Sequence, residues 1–332
     1  MTGNGANQEF ERLAEPCRRE MKLHCYRMMG SLHEAEDLVQ ETYLRAWRHF
    51  DSFERGTSIR AWLYRIATNA CLNALASRKN AQRWLPDQHA PATVQMPDGK
   101  PASDVAWLEP YPDSNLAGIA DDALSPEARY ASAESVKLAF IAAIQYLPPR
   151  QRASLLLCDV LGWAAAEVAA LLGGSTASIN SALQRARETL AKHYPEGRSP
   201  IASRPEHAQQ KLLNRYLQAW EGLEVDNFVA LLKEDARYTM PPLPQWYAGR
   251  QPIRNFFEWA WKLYDGFRLI PTSANRQPAF AAFSRSNPDA PWTAHSLQVL
   301  TLADDRIAAL TLFAKPQGPR LFPAFGLPLV LP

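Results

Sequence analysis

Apolar positions at Ala35, Leu38, Val39, Thr42, Tyr43, Ala46 and Trp47 recur at three- and four-residue steps, which predicts an amphipathic helix. Ser31-Leu32-His33-Glu34 just before it has the residues of a capping box, Ser31 accepting from an early amide and Glu34 reaching back to the cap. The opposite face carries Glu36, Asp37, Gln40 and Glu41, an acidic stripe that either docks a basic partner surface or simply faces solvent. A second helix starts near Thr57 or Ser58 and buries Ile59, Trp62, Leu63, Ile66 and Ala70. Arg65, Asn69, Asn73 and Ser77 follow at four-residue spacing on another face, with Arg78, Lys79 and Arg83 beyond. Amides and guanidiniums hydrogen-bond base edges, and Lys and Arg neutralise phosphate. Trp62, Tyr64 and Trp84 offer stacking surface for unpaired bases, although the place of Trp62 in the apolar stripe points to core packing.

Further on, Ala164 to Leu172 reads as a short helix, Gly173-Gly174 as a tight turn, and Ser175 or Thr176 as the cap of another helix. Ile179, Leu183, Ala186 and Leu190 face inward. Ser175, Thr176, Ser178, Asn180, Ser181, Gln184, Arg185 and Arg187 stay outside. A second helix with polar residues at its N-terminal end, after a short turn, has the form of a major-groove reader, though many helical hairpins never touch DNA.

Charge divides the chain. The 332 residues suggest two or three domains, and 36 Lys plus Arg against 34 Asp plus Glu exclude a polycation. A hydrophobic content of 47% provides for ordinary cores. Residues 43–83 hold Arg45, Arg48, Arg55, Arg60, Arg65, Arg78, Lys79 and Arg83 against Asp51 and Glu54, a local net of +6. Residues 84–128 hold Asp87, Asp98, Asp104, Glu109, Asp113, Asp121, Asp122 and Glu127 against Lys100 alone, a local net of −7, with seven prolines. Proline resists helix, so this stretch reads as an extended acidic linker. PEGRSPIASRPEH at 195–207 marks a second boundary. No run of 18 apolar residues and no secretory signal is visible. The four cysteines (Cys17, Cys25, Cys71 and Cys158) are scattered without CxxC, as reduced buried thiols are, so no metal site is expected.

The last third begins with helix-like periodicity at Leu212, Leu213, Tyr216, Leu217 and Trp220, then Phe228, Leu231 and Leu232. WYAGRQPIRNFFEWAW (246–261) gives a glycine turn and an aromatic helix; Thr293–Leu302 and Arg306–Phe313 alternate like strands. Helices followed by an antiparallel sheet suggest an α+β cone. Tyr238, Trp246, Trp261, Arg276 and His295 are candidate pocket-lining groups and Asp265 the nearest candidate base, but no acid–base pair stands out by spacing. The apolar tail PRLFPAFGLPLVLP (319–332) should pack on something.

HCYRMMGSLHEAEDLVQETYLRAWRHF (24–50), SIRAWLYRIATNACLNAL (58–75) and YLPPRQRASLLLCDVLGWAAAEVAALLGGSTASINSALQRARETL (146–190) together resemble a bacterial sigma factor of the extracytoplasmic-function class. YxGRxxI in the last third is similar to the SnoaL-like, nuclear-transport-factor-two-like fold. The resemblance implies a multidomain chain with two all-α sigma domains, the second bearing the helix-turn-helix, and a C-terminal α+β cone. Its parts are sigma region 2 (8–83), an acidic linker (84–126), sigma region 4 (127–194), a second linker (195–206) and a SnoaL-like regulatory domain with apolar tail (207–332).

By that resemblance Asp37, Gln40 and Glu41 bind the clamp of core RNA polymerase, whose beta and beta-prime subunits are the partners. Arg65, Asn69, Asn73, Ser77, Arg78 and Lys79 hold the melted −10 element. Thr176, Ser178, Asn180, Ser181, Gln184, Arg185 and Arg187 face the −35 element of promoter DNA. Asn180 and Ala182 stand where many relatives carry Lys and Arg, which lowers the charge of the reading helix. The acidic linker is expected to thread the basic polymerase cleft, with Trp107 and Tyr111 of the WLEPYP stretch docking onto the C-terminal domain. The resemblance further implies a cytoplasmic, nucleoid-associated bacterial protein with no cofactor, no membrane contact and no catalysis. The fused domain is expected to replace a separate anti-sigma factor and is open to a small-molecule ligand. Two other readings are a ligand-responsive regulator that binds operator DNA without polymerase, and a SnoaL-like enzyme fused to a DNA-binding module.

Overall fold

The computed structural model describes residues 3–54, 56–78, 82–102, 104–119, 133–195 and 206–331. The chain forms two compact units. One comprises 1–83, 109–111 and 115–198, and the other 84–108, 112–114 and 199–332.

The first unit is helical. It contains α1 (Gly3–Ala14), α2 (Arg18–Met29), α3 (Leu32–Arg48) and α4 (Ile59–Ala76). These are followed by α5 (Leu138–Ile144), α6 (Pro149–Leu155), α7 (Ala165–Leu172) and α8 (Thr176–His193). Ser31 caps α3 by accepting from the Glu34 amide at 3.3 Å, and Ser58 caps α4 by accepting from the Ala61 amide at 3.2 Å. Met21, Cys25, Met29, Val39, Leu63 and Ala67 fill the space between α2, α3 and α4. Cys17, Cys25 and Cys71 are buried free thiols and Cys158 is half-buried. On α6, whose last turn widens into a π-turn at Leu156–Val160, Arg152 is fully buried. Its guanidinium donates to the Met28 carbonyl at the end of α2, to Gln145 Oε1 at 2.9 Å and to the Gln145 carbonyl at 3.0 Å. Arg27 donates to Ser135 Oγ at 2.6 Å, and Tyr64 meets Trp163 edge to face at 5.6 Å. The two helical regions that the sequence reads as separate domains therefore share one packed interior, held by buried arginines that donate to carbonyls and a hydroxyl, while Arg152 Nε finds no acceptor among the described residues.

Two helices place apolar positions differently from the sequence expectation. Trp47 is 51% exposed rather than part of the buried stripe, because α3 turns its last apolar position away from α2 and α4. On α4 the buried stripe is shifted by about one residue: Leu63, Tyr64, Ala67, Ala70, Cys71 and Leu75 point inward, while Trp62 and Ile66 are half-buried.

The second unit is an α+β cone. Helices α9 (Glu206–Glu221), α10 (Val225–Ala230) and α11 (Arg250–Ala260) cover a seven-stranded sheet. Its strands are β1 (Leu232–Thr239), β2 (Trp246–Ala248), β3 (Gly266–Ala274), β4 (Gln277–Arg285), β5 (Trp292–Ala303), β6 (Arg306–Phe313) and β7 (Val330–Leu331). The order is β2-β1-β6-β5-β4-β3 with β7 against β5, and only β1 and β6 run parallel. The two strand-like stretches at Thr293–Leu302 and Arg306–Phe313 pair as an antiparallel hairpin, with Ala303 opposite Arg306. The β3–β4 hairpin was not visible in the pattern, because β4 is buried on both faces and shows no alternation. Leu231 and Leu232 end a helix and open a strand, where periodicity suggested helix throughout. Trp220 from α9, Phe257 and Trp261 from the α11 segment and Phe267 from β3 meet edge to face in the core.

The tail is split. Helix α12 (Gln317–Leu321) is seated, with Leu321 and Phe322 fully buried, yet Leu329 and Val330 remain 51% exposed. Gly318 permits the seating: a Cβ there would lie 1.9 Å from the Phe313 carbonyl oxygen, so no larger residue fits.

Candidate nucleic-acid interface

On α3, Asp37 and Gln40 are exposed and Glu41 is half-buried. Glu41 pairs with Arg45 one turn later. The stripe continues through Leu44, 47% exposed, to Trp47, whose indole donates to Asn7 Oδ1 at 3.1 Å. This face mixes carboxylate, amide and bare apolar surface, a composition that suits protein docking. Leu44 and Trp47 are additions: apolar spacing assigns Trp47 to the buried stripe and does not single out Leu44.

On α4, Arg65, Asn69 and Asn73 are exposed on one line. The structure brings Arg65 and Asn69 together with Trp62, Ile66, Arg45, His49 and Ser52 around an open hollow of about 490 Å³. Asn73 and Ser77 do not line it; Ser77 Oγ donates to the Ala74 carbonyl at 3.0 Å. Trp62 forms the apolar wall, tilted against Phe53 at 5.2 Å. Arg45, His49 and Ser52 come from the end of α3 and the turn beyond it. Their only sequence signal was basic character next to a helix end. Tyr64, offered as stacking surface, is buried and unavailable. Trp84 belongs to the other unit and bridges to Trp107.

Arg78 is engaged. Its guanidinium meets Glu34 at 2.6 Å, and Arg83 meets the same carboxylate at 2.7 Å. Glu34 therefore does not reach back to its own cap, as the capping-box pattern suggests. Lys79 lies outside the described residues.

The helix-turn-helix forms as read. Gly173 takes φ +65° at the end of α7, and Ser175 accepts from the Ser178 amide at 3.2 Å to cap α8. Thr176, Ser178, Asn180, Ser181, Gln184, Arg185 and Arg187 are all exposed on α8. Five of them have intramolecular partners. Ser181 Oγ donates to the Ala177 carbonyl at 3.0 Å and Arg185 Nε to the Ser181 carbonyl at 3.3 Å. Ser178 Oγ donates to the Ser175 carbonyl at 2.6 Å, Gln184 donates to Glu188 at 3.1 Å, and Arg187 grips Asp159 with bonds of 2.7 and 2.8 Å.

The linker is not an independent spacer in this structure. Residues 84–108 belong to the second unit. There the Trp246 indole donates to the Ala90 carbonyl at 2.7 Å, the Thr93 amide donates to the Trp246 carbonyl at 2.9 Å, and Tyr247 Oη donates to the Gln95 carbonyl at 2.8 Å. Trp107, 6% exposed, is part of that unit. Tyr111 is not: it is fully buried in the first unit, its ring 4.7 Å from that of Tyr26. Tyr26 already presents an aromatic face there, its hydroxyl donating to the Glu109 carbonyl at 2.8 Å. Glu109 caps the same helix end through other donors. Its carboxylate accepts from Ser31 Oγ and the Leu32 amide, both at 2.8 Å, and lies 3.1 Å from His33 Nδ1. Burial pushes this carboxyl up, but the bonds from His33 and Ser31 and the charge of Arg83 outweigh it and hold it below the usual range.

In the second unit Tyr238, Trp261 and His295 line one cavity, while Trp246 and Arg276 do not. Trp246 is turned to the linker, and Arg276 flanks an open groove beside Asp113, which accepts from its backbone amide at 2.8 Å. Asp265 is no free base: it pairs with Arg285 at 2.6 Å.

Comparison with known proteins finds three family matches along the chain. The sigma-70 region 2 family matches residues 13–81, the sigma-70 region 4 family 137–190, and the SnoaL-like domain family 213–310. The ECF RNA polymerase sigma factor SigG of Mycobacterium tuberculosis is 42% identical over 96% of this chain and 84% of its own length. SigJ of the same organism is 28% identical over 70% of this chain and 63% of its own. The crystal structure of SigJ shares the fold, with a TM-score of 0.60 and 22% identity over 97% of this chain and 99% of that one. With sigma-70 regions 2 and 4 in sequence, a SnoaL-like domain behind them and this identity over almost the whole length, the chain belongs to the ECF RNA polymerase sigma factors, which direct promoter-specific initiation of transcription.

Proposed function

We propose that the hollow on α4 receives an unstacked base of the melted −10 element while the exposed stripe of α3 docks core RNA polymerase. The observation that carries this is the grouping of Arg65, Asn69, Arg45 and His49 around an apolar wall at Trp62. Hydrogen-bonding edges around an aromatic surface are what a flipped-out base requires, and stacking contributes about 1–3 kcal/mol per base. Asp37, Gln40, Leu44 and Trp47 form the polymerase face, against its beta and beta-prime subunits. Thr176, Asn180, Ser181 and Arg185 of α8 meet the −35 element. Arg78, and Arg187 likewise, join the DNA contacts only after releasing Glu34 and Asp159.

The C-terminal unit acts as a fused regulator without turnover, in the place of a separate anti-sigma factor, and works where polymerase and nucleoid are, in the bacterial cytoplasm. The seating of residues 84–108 on that unit supports this, because the same stretch runs on in sequence to Glu109 and Tyr111. The test is run-off transcription with core polymerase on a promoter pool. The full chain is expected to initiate at specific sites. R65A/N69A should keep polymerase affinity and lose permanganate-reactive open complex by about tenfold or more, whereas D37A/Q40A should lose polymerase affinity. Initiation by neither the full chain nor any truncation would sink the proposal.

A further inference from the structure

The second unit holds a pocket of about 180 Å³, open on one side, whose chemistry selects a ligand class. Its wall is aromatic and aliphatic, including Tyr238, Phe256, Trp261, Tyr264, Phe267 and Leu312, and no Asp, Glu, Lys or Arg lines it. Histidine enters at one place only. His295 shares hydrogen bonds with Tyr264 Oη at 3.1 Å and Ser296 Oγ at 3.0 Å, and burial together with the charge of Lys315, which does not line the pocket, lowers its pKa to about 3, so the imidazole is neutral. A charged ligand would find no counter-charge on this wall. Three polar groups on this wall are free to hold an uncharged one. The indole N–H of Trp261, a residue 5% exposed, has no acceptor among the described residues, and neither has that of Trp220. The Tyr238 hydroxyl likewise has no hydrogen bond among them. An apolar cavity of about 150 Å³ suffices for benzene, so this one takes a single substituted ring.

The cavity is closed on one side by the linker. Pro97 and Gly99 are among its lining residues. The stretch that carries them is pinned before and after: at Ala90, Thr93 and Gln95 by Trp246 and Tyr247, and at Ala102, whose amide donates to the Pro242 carbonyl at 3.2 Å. A molecule in the cavity would therefore touch the segment that joins the two sigma regions in sequence. We propose that this cavity is a binding site for an uncharged, single-ring molecule bearing an acceptor oxygen, and that residues 96–102 are its lid, tightened when it is filled. The regulatory consequence rests on the reading of this unit as a fused regulator; the binding does not.

The full chain is titrated by fluorine NMR with para-fluoroacetophenone and para-fluorophenol as neutral probes, fluorobenzene as an oxygen-free probe and para-fluorobenzoate as a charged isostere. At least one oxygen-bearing neutral probe is expected to bind with Kd of about 1 mM or tighter, and the benzoate about tenfold more weakly or not at all. W261F should weaken the ketone about fivefold and leave fluorobenzene unchanged. A314F, which fills the rim, should abolish binding of every probe. Saturating probe should slow hydrogen exchange of the amides in 96–102. Failure of both oxygen-bearing probes to bind at about 1 mM, equal binding of the benzoate, or ketone affinity unchanged by W261F overturns the site, whether or not A314F folds. Binding without slowed exchange at 96–102 overturns the lid. Transcription unaffected by a bound probe counts against the regulator reading and leaves the site standing.

Discussion

Glu109 offers the sharpest test of how the linker is built into the helical unit. Its carboxylate takes the Ser31 hydroxyl and the Leu32 amide at 2.8 Å and the His33 amide at 3.3 Å, at the N-terminus of the helix that carries the proposed polymerase face. Those amides have no intrahelical acceptor, and the helix dipole favours an anion there. A hydrogen bond to a charged acceptor contributes about 1.5–3 kcal/mol, and the dipole about 0.3–1 kcal/mol more. His33 is exposed, so water recovers part of this once the carboxylate is gone. The net expectation for E109A is a local loss of about 2 kcal/mol, or about 30-fold in the opening equilibrium at the start of α3. E109Q, which keeps an acceptor without the charge, should lose about half as much. The folded carboxyl lies below its ordinary value of 4.5, so the contribution is complete above that pH and disappears as the pH falls through the lower folded value. The assay is hydrogen exchange of the Leu32 and His33 amides in the full chain at neutral pH and at pH below about 4. Wild-type exchange rates in E109A at neutral pH would refute the capping role.

Other outcomes follow from single groups. His24 is 1% exposed, shares a hydrogen bond with Thr68 Oγ1 at 2.9 Å, and has its pKa lowered to about 3 by burial and by the charge of Arg27. A folded value below the ordinary 6.5 means that stability is complete above that pH and lost as the pH falls toward 3. About 2 kcal/mol should be gone from the helical unit at pH about 5, and H24F should remove that slope in exchange measured at the α2 and α4 amides. On α8, D159N should release Arg187 for phosphate. Promoter affinity should rise and the slope of log affinity against log salt should steepen by roughly one; an unchanged slope would show that Arg187 does not reach DNA.

Much of this protein was legible in one dimension. Helical periodicity, the caps at Ser31, Ser58 and Ser175 and the glycine turn before α8 are local in origin, because side chains three and four apart share a face whatever lies elsewhere. The Arg65–Asn69–Asn73 line and the exposed face of α8 were readable for the same reason. Tertiary structure decided which of those groups are free. Arg78 and Arg187 read as DNA contacts and are held by Glu34 and Asp159, partners 44 and 28 positions away. The linker residues went two ways, Trp107 to one unit and Tyr111 to the other, and Glu109 caps the start of α3 through other donors than Glu34 was expected to take. No window of sequence contains those outcomes, since each is a choice among distant partners competing for the same buried donor or acceptor. The α4 hollow and the pocket in the cone exist for the same reason: their walls come from several elements, and only packing brings them together.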